Sequence, residues 1–576
     1  MTRRRALWLL AVIVAAVVLA GLWLGVRAQQ ARRHLIDASD LASVVRDDLL
    51  HGDRVGAQAR LEQLQTDAQD ARTETHDPLW RLAGAVPLLG RTFSTTAQIA
   101  SLSDDLAEQV LPQLLAAGDA LAPSRLRVNG DTIALGALHQ AQVPLDQAVQ
   151  QLTGLATRSR QLPRSLTLSQ VVSARDRLVS QLQRLSGIVR TADDLSRIGP
   201  AMLGETRPRH YFVAVENNAE SRGTGGLVGA FLILEADNGR LRVTRSGSDL
   251  DLHNAPRPVI DLGRSFDKLY RPYGSDTVWA NSNISPHLPY AGQIWAALWQ
   301  RQTGQRVDGA VTLDPVALSD LLEATGPFRV AGTDITAGNV VALLLRRVYV
   351  LVQDPVRRKQ VLQVIARGAV ERVTSGAGDA DAVANEIGRA IGTSHLGLWS
   401  AHPEEQRVLE ATPAAQILPQ VRAPYAQLVV SNAAGSKLDY YLRRTLVYRS
   451  TGCVAGRRRT QLTVRLTNAA PPGLPAYVTA RLDHPGPVGS DALIVAVYGT
   501  DGAGLRDATL DGAPTTLSVD SERGHPVFST VIEMAAGQTR VLRLDLDEPD
   551  ASGPAVVPEQ PLVEPQLTQV ALRSCG

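Results

Sequence analysis

The chain is short of lysine. Of 59 basic residues only Lys268, Lys359 and Lys437 are lysine, and the rest are arginine. A GxxxxGK[ST] phosphate loop is thereby excluded, because no lysine follows a glycine as that loop requires. Cysteine is rarer still: Cys453 and Cys575 are the only two, and neither belongs to a CxxC pair. That removes support for a zinc site or a thioredoxin-type redox role. Net charge is only +2, too little to imply a nucleic-acid partner. No GxSxG, no HExxH, and no cysteine paired with a plausible base occurs, so no common hydrolase signature is present.

What the sequence does have starts at its N-terminus. Ala6 to Val26 is uncharged and almost entirely apolar, long enough to span a bilayer as a helix. Arg3, Arg4 and Arg5 precede it, which places the N-terminus in the cytoplasm, and Trp8 and Trp23 stand near its ends as interfacial anchors do. A retained single-pass anchor is expected, with a cleaved signal peptide as the rival reading. Residues 28–576 would then be extracytoplasmic, where the two cysteines would pair as a disulfide. Closing so long a loop contributes roughly 4–5 kcal/mol through chain entropy.

Hydrophobic residues make up 44% of a chain long enough for several domains. Residues 28–204 carry apolar residues at helical spacing, as in Leu61, Leu64 and Ala68, and read as a helical stalk interrupted by DPLWRLAGAVPLLG. From 205 to 435 strands and helices alternate. Gly304 is a helix stop, Asp314–Pro315 and Asp354–Pro355 are helix starts, and AQLVVSN is a late strand, so an α/β core is expected. From 436 to 576 short strands alternate with Gly, Pro, Asp and Asn, the pattern of an immunoglobulin-like β-sandwich.

Three polar groups stand out. ENNAESRGTGGLVGAF (216–231) has Val228 where a dinucleotide-binding loop needs its third glycine, and a strand-like run follows it. It therefore reads as strand, glycine-rich turn, strand, with Arg222 either at a cleft mouth or paired with Glu220. In TRSGSDLDLHNAPRP, Arg245 is followed by Asp249, Asp251 and His253, which fall on one side if the strand continues. Asp249 and Asp251 are candidate ligands of a divalent metal. Arg346, Arg347, Arg357, Arg358 and Lys359 are concentrated on two neighbouring helices and are candidates for phosphate, or else solvated faces.

RHYFVAVENNAESRGTGGLVGAFLILEADNGRL resembles the core motif of a bacterial family catalogued as domain of unknown function four thousand and twelve. DPLWRLAGAVPLLGR, VDGAVTLDPVALSDLLEATGP and AQLVVSNAAGSKLDYYL resemble its other signatures, so the likeness runs from about 77 to 450. It implies a membrane-anchored envelope protein and no known reaction. The α/β stretch is also similar in layout to the LytR–CpsA–Psr family, which moves glycopolymers from a polyprenyl-pyrophosphate lipid to peptidoglycan. That likeness implies pyrophosphate ligands at Arg222, Arg245, Arg357 and Arg358, and Mg2+ held by Asp249 or Asp251 if the protein is a phosphotransferase. Two positions depart from it: Gly225 and Gly226 stand where an Asp-Thr pair belongs, and Gln360 where a second arginine belongs.

The expectation is a single-pass cell-envelope protein that binds or helps assemble envelope glycan. A phosphotransferase acting on a lipid-linked glycopolymer and a protein-binding scaffold are the alternatives. The expected partners are the cytoplasmic membrane and lipid-linked glycan or peptidoglycan.

Overall fold

The structure, a computed structural model, describes residues 19–34, 36–37, 41, 54–87, 90–128, 130–165, 167–484 and 486–575. Among them no helix is long and apolar enough to cross a membrane. Most of the expected anchor, residues 6–18, lies outside the described residues, as does the HGD turn at 51–53. The chain divides into two compact units, Met1–Val128 with Ala134–Ala201, and Asn129–Ile133 with Met202–Gly576.

The first unit is helical. Leu145, Ala148, Leu152 and Leu155 line one face of the helix Leu135–Arg160 and pack with Ile99, Leu102 and Leu182. The DPLWRLAGAVPLLG segment interrupts the helices as expected, at 76–77 and 85–87, and carries a short helix, Pro78–Gly84, between the two breaks. Asp77 is extended and its carboxylate accepts from Trp80 N at 2.7 Å, while Pro78 occupies the first turn, where its missing N–H costs nothing. Trp80 is 2% exposed, donates from Nε1 to Phe93 O, and meets the Phe93 ring edge-on.

In the second unit, five strands form the body of one mixed sheet: β1 (Arg209–Arg222), β2 (Gly225–Asp237), β3 (Arg240–Ser248), β4 (Gly309–Leu313) and β5 (Leu396–Ser400). Their order is β3-β2-β1-β4-β5. Strands β1 and β4 run parallel, with Val213 opposite Val311, and the other neighbours are antiparallel. Both faces are covered, which is why YFVAV is apolar without alternation. Phe212 and Phe231 face Trp279, Trp295 and Trp299. One residue on, Val213 and Val215 face Leu318, Leu344 and Ile365. The helices follow the predicted starts and stops. Helix α1 (Leu288–Thr303) ends at Gly304 with φ 76°. Helix α2 (Pro315–Thr325) is capped by Asp314, and α3 (Pro355–Thr374) by Asp354.

Two larger sheets and a short two-stranded one, Phe328–Val330 with Thr333–Ile335, complete the described part of this unit. The strand AQLVVSN, β6 (Ala426–Asn432), does not join the α/β sheet. It pairs with β9 (Asp491–Gly499), and every one of its residues is buried. The α/β stretch therefore gives its last strand to the β-rich part. The two sheets contain β6, β7 (Leu442–Val454), β8 (Arg457–Asn468), β9, β10 (Gly504–Leu510), β11 (Ser518–Glu522), β12 (His525–Met534), β13 (Thr539–Pro549) and β14 (Leu567–Ala571). One sheet runs β6-β9-β12-β11 and the other includes β10-β13-β8-β7-β14. They share one core, in which Leu428, Val430, Val495 and Phe528 meet Leu446, Leu462, Val464 and Leu544. Cys453, near the end of β7, is disulfide-bonded to Cys575, beyond β14, with Cα atoms 5.7 Å apart.

Candidate functional site

In open α/β sheets ligands bind beyond the carboxyl ends of parallel strands. Here that position, beyond the end of β4 and the stretch of β1 paired with it (211–215), holds ENNAESRGTGGL. The segment is a hairpin, as its pattern predicts, with register shifts at Val215/Glu216 and Asn217/Ser221. Its glycines are required by close backbone approach. A Cβ on Gly223 would lie 2.1 Å from Ile284 O, and one on Gly226 would lie 2.3 Å from the Asn217 carbonyl carbon.

The hairpin is held on both sides by buried polar groups. Glu216 Oε1 accepts from Thr224 Oγ1 at 2.6 Å and Asn283 Nδ2 at 3.1 Å, and its Oε2 accepts from Gly226 N. Burial pushes the Glu216 carboxyl up to about 8, against the pull of these donors. Asn218 donates from Nδ2 to Asp314 Oδ2 and to Pro561 O, while Asp314 Oδ1 caps α2. His395 Nδ1 stands 2.5 Å from the same Asp314 Oδ2. Burial opposes the charge on His395, but the Asp314 carboxylate outweighs it and its pKa is raised.

Arg222 is buried. Its Nε donates to Ala280 O at 2.7 Å, Nη1 to Ser221 O and Asn432 O, and Nη2 to Asn281 Oδ1. These acceptors come from the α/β part and from β6. Burial lowers its pKa from the usual arginine value. Glu220 pairs instead with Lys437, Nζ to Oε2 2.8 Å. Beside it Ser221 donates from both N and Oγ to Asp439 Oδ2, and Asn432 Nδ2 donates to Asp439 Oδ1. Asp439 is hydrogen-bonded to Asp491, which also accepts from Ser436 Oγ. Burial raises both carboxyls, Asp491 further. Asp491 therefore holds the proton of the pair and Asp439, with three donors, is the carboxylate. Gln560 closes the junction by donating to Arg222 O and Val430 O.

The other candidates have separate surroundings. Arg245 stacks on Trp299, 5.0 Å from the ring centroid. Strand β3 stops at Ser248, so the expected alternation of Asp249, Asp251 and His253 is not realised. Asp249–Asp251 is a single 3-10 turn in which Asp251 closes a capping box with Ser248. Asp249 Oδ2 pairs with Lys359 Nζ at 2.5 Å. Arg358 is 2% exposed, lies 3.8 Å from the Tyr477 centroid and 5.5 Å from that of Tyr349, and donates from Nη1 to Val352 O. Arg357 is exposed, and only its backbone N is engaged, by Asp354. Among the described residues no group of three or more His, Cys, Asp or Glu is placed to hold a metal ion. The arrangement binds the chain to itself: four pyrophosphate candidates have four separate environments. Lys437, Asp439, Asp491 and Gln560 are missed by sequence reading. Lys437 and Asp439 lie in the AQLVVSNAAGSKLDYYL stretch that carries the resemblance, whereas Asp491 and Gln560 carried no signal.

Fold and site together define a mixed α/β sheet whose ligand-side hairpin is locked by buried polar bonds to a two-sheet β part. The family model described as "Protein of unknown function (DUF4012)" matches residues 206–349, about a quarter of the chain, from just before β1 to Tyr349. No curated protein and no solved structure matches the chain.

Proposed function

We propose that the protein is a single-pass, extracytoplasmic cell-envelope protein that binds envelope glycan, or scaffolds its assembly, without transferring phosphoryl groups itself. The observation that carries this reading is Arg222: the one candidate arginine at the ligand side of β1 has all three of its nitrogens bonded inside the protein. The N-terminal apolar segment and the Cys453–Cys575 disulfide support the location, since such bonds persist in oxidising compartments. The proposal includes a distant relation of the α/β core to the LytR–CpsA–Psr family, supported by element order over 279–327. It also includes an immunoglobulin-like β part, supported by two sheets on one core.

The test is paired. Purified full chain is mixed with cell-wall sacculi, and separately with a polyprenyl-pyrophosphate-linked glycopolymer, Mg2+ and peptidoglycan acceptor. Cosedimentation with sacculi and no transferred polymer is the expected result. Transfer that is lost in Arg357→Ala would overturn the non-catalytic reading. Failure to sediment would remove glycan binding and leave the scaffold.

A further inference from the structure

The helical segment that ends in Val348–Leu351 is joined to α3 by a tight turn. Three large aliphatic side chains project there within seven residues: Val350 is 53% exposed, Leu351 63% and Val356 55%. Tyr477, 41% exposed, stands against the same segment, its ring 5.7 Å from that of Tyr349. Arg346, Arg347 and Arg357 flank this apolar tip, all exposed, and none forms an ion pair among the described residues. The single acid between 346 and 359, Asp354, is committed to the cap of α3.

The tip is also braced from beneath. Arg358 ties Val352 O to the turn and lies against Tyr349 and Tyr477, while Val348 and Tyr349 pack on Leu438 and Val478. A soluble surface gains nothing by holding aliphatic side chains out on a stiffened turn. A bilayer boundary takes such side chains among its acyl chains, tyrosine at headgroup level, and arginines on anionic headgroups.

We propose that this tip, Val350, Leu351 and Val356 ringed by Arg346, Arg347 and Arg357, docks on an anionic lipid surface. The docking rests on the envelope reading only in requiring a bilayer at hand, and it is independent of glycan binding. A partner protein would need a groove or a complementary acidic face. An anionic membrane needs only projecting aliphatics and unpaired arginines.

The test uses the full chain in lipid nanodiscs with a nitroxide at Val350→Cys, and Val519→Cys, 52% exposed on β11, as the aqueous reference. Discs contain either phosphatidylglycerol or phosphatidylcholine alone. In phosphatidylglycerol discs the label at 350 is expected to relax with oxygen and resist a water-soluble nickel chelate, and the reference to do the opposite. The difference should vanish in phosphatidylcholine discs and in Arg346→Glu/Arg347→Glu/Arg357→Glu. Equal chelate access at both labels in phosphatidylglycerol discs overturns the proposal. So does lipid-independent dipolar broadening, which would make the occupant a second copy of the chain. The lipid comparison needs no charge variant, so a variant that fails to fold does not blunt it.

Discussion

The junction around Arg222 and the tip around Arg357 use the same residue types to opposite ends. At the junction the guanidinium reaches four acceptors and is buried. Arg347, eleven residues before buried Arg358, forms no ion pair among the described residues, and neither does Arg357, which immediately precedes Arg358. Arginine in a sequence therefore says little about ligand binding until its acceptors are known. A planar donor fork serves backbone carbonyls at an internal seam as well as phosphate at a surface. The contrast also separates the two kinds of consequence: loss of a junction residue should cost folding, and loss of a tip residue should cost contact with something else.

The largest expected effect tests the junction directly. Arg222→Ala removes the donors to Ala280 O, Ser221 O, Asn432 O and Asn281 Oδ1 and opens a void between the α/β sheet and β6. Destabilisation of roughly 3–5 kcal/mol is expected, measured by denaturant unfolding. Arg357→Ala, by contrast, should change stability by less than about 0.5 kcal/mol. Equal effects of the two would end the distinction.

A second, smaller effect appears in the pH dependence. An unfolded Asp491 ionises in the usual carboxylate range near 4. In the folded chain burial beside Asp439 raises it, so above that range the folded form binds more protons than the unfolded one. Stability conferred by the pair is therefore greatest at low pH and falls as pH rises, by about 1.4 kcal/mol per unit for one proton. Asn at 491 offers Asp439 a permanent donor in place of that proton. Asp491→Asn should lose this slope and exceed the parent in stability at alkaline pH. Asp308 provides a reference of opposite sign. Burial raises it, but Arg207, His210 N and His402 together hold it at about 2, so its contribution is lost as pH falls from near 4 toward 2. If Asp491→Asn changes the acid limb rather than the alkaline one, the proton assignment at the junction is wrong.

Much of this fold is legible in the sequence, and the reasons are local. Asp314 before Pro315 and Gly304 after α1 act within one turn of chain, and the structure uses each as expected. The glycine cluster between YFVAV and FLILEA is a hairpin because close backbone approach tolerates nothing larger at Gly223 and Gly226. The site is less legible because its partners are distant. Asp439 lies 218 residues from Ser221, and Gln560 lies 338 from Arg222. AQLVVSN reads as a strand, but nothing local tells which sheet takes it, since a strand buried along its whole length fits either. Asp249 and Asp251 mislead for a different reason. Ser248 caps a 3-10 turn, and two residues of turn rotate side chains that strand alternation would have aligned.

The smallest expected effect belongs to the tip. Val350 and Leu351 are more than half exposed in the folded chain, so most of their apolar surface is already in water and little transfer free energy depends on them. Val350→Ser/Leu351→Ser should leave the denaturant midpoint within about 0.5 kcal/mol of the parent. Tyr349→Ser, one residue earlier, should not: its ring is buried against Tyr477 and Arg358. A loss above about 1.5 kcal/mol in the double variant would mean that the aliphatic side chains pack inside the folded protein in solution. The tip would then resemble the junction, its exposed arginines would be an ordinary solvated face, and the reason for expecting lipid there would be gone. A silent double variant in solution that loses its lipid-dependent oxygen contact would instead assign these side chains to the bilayer, because only an external partner can make an energetically neutral surface matter.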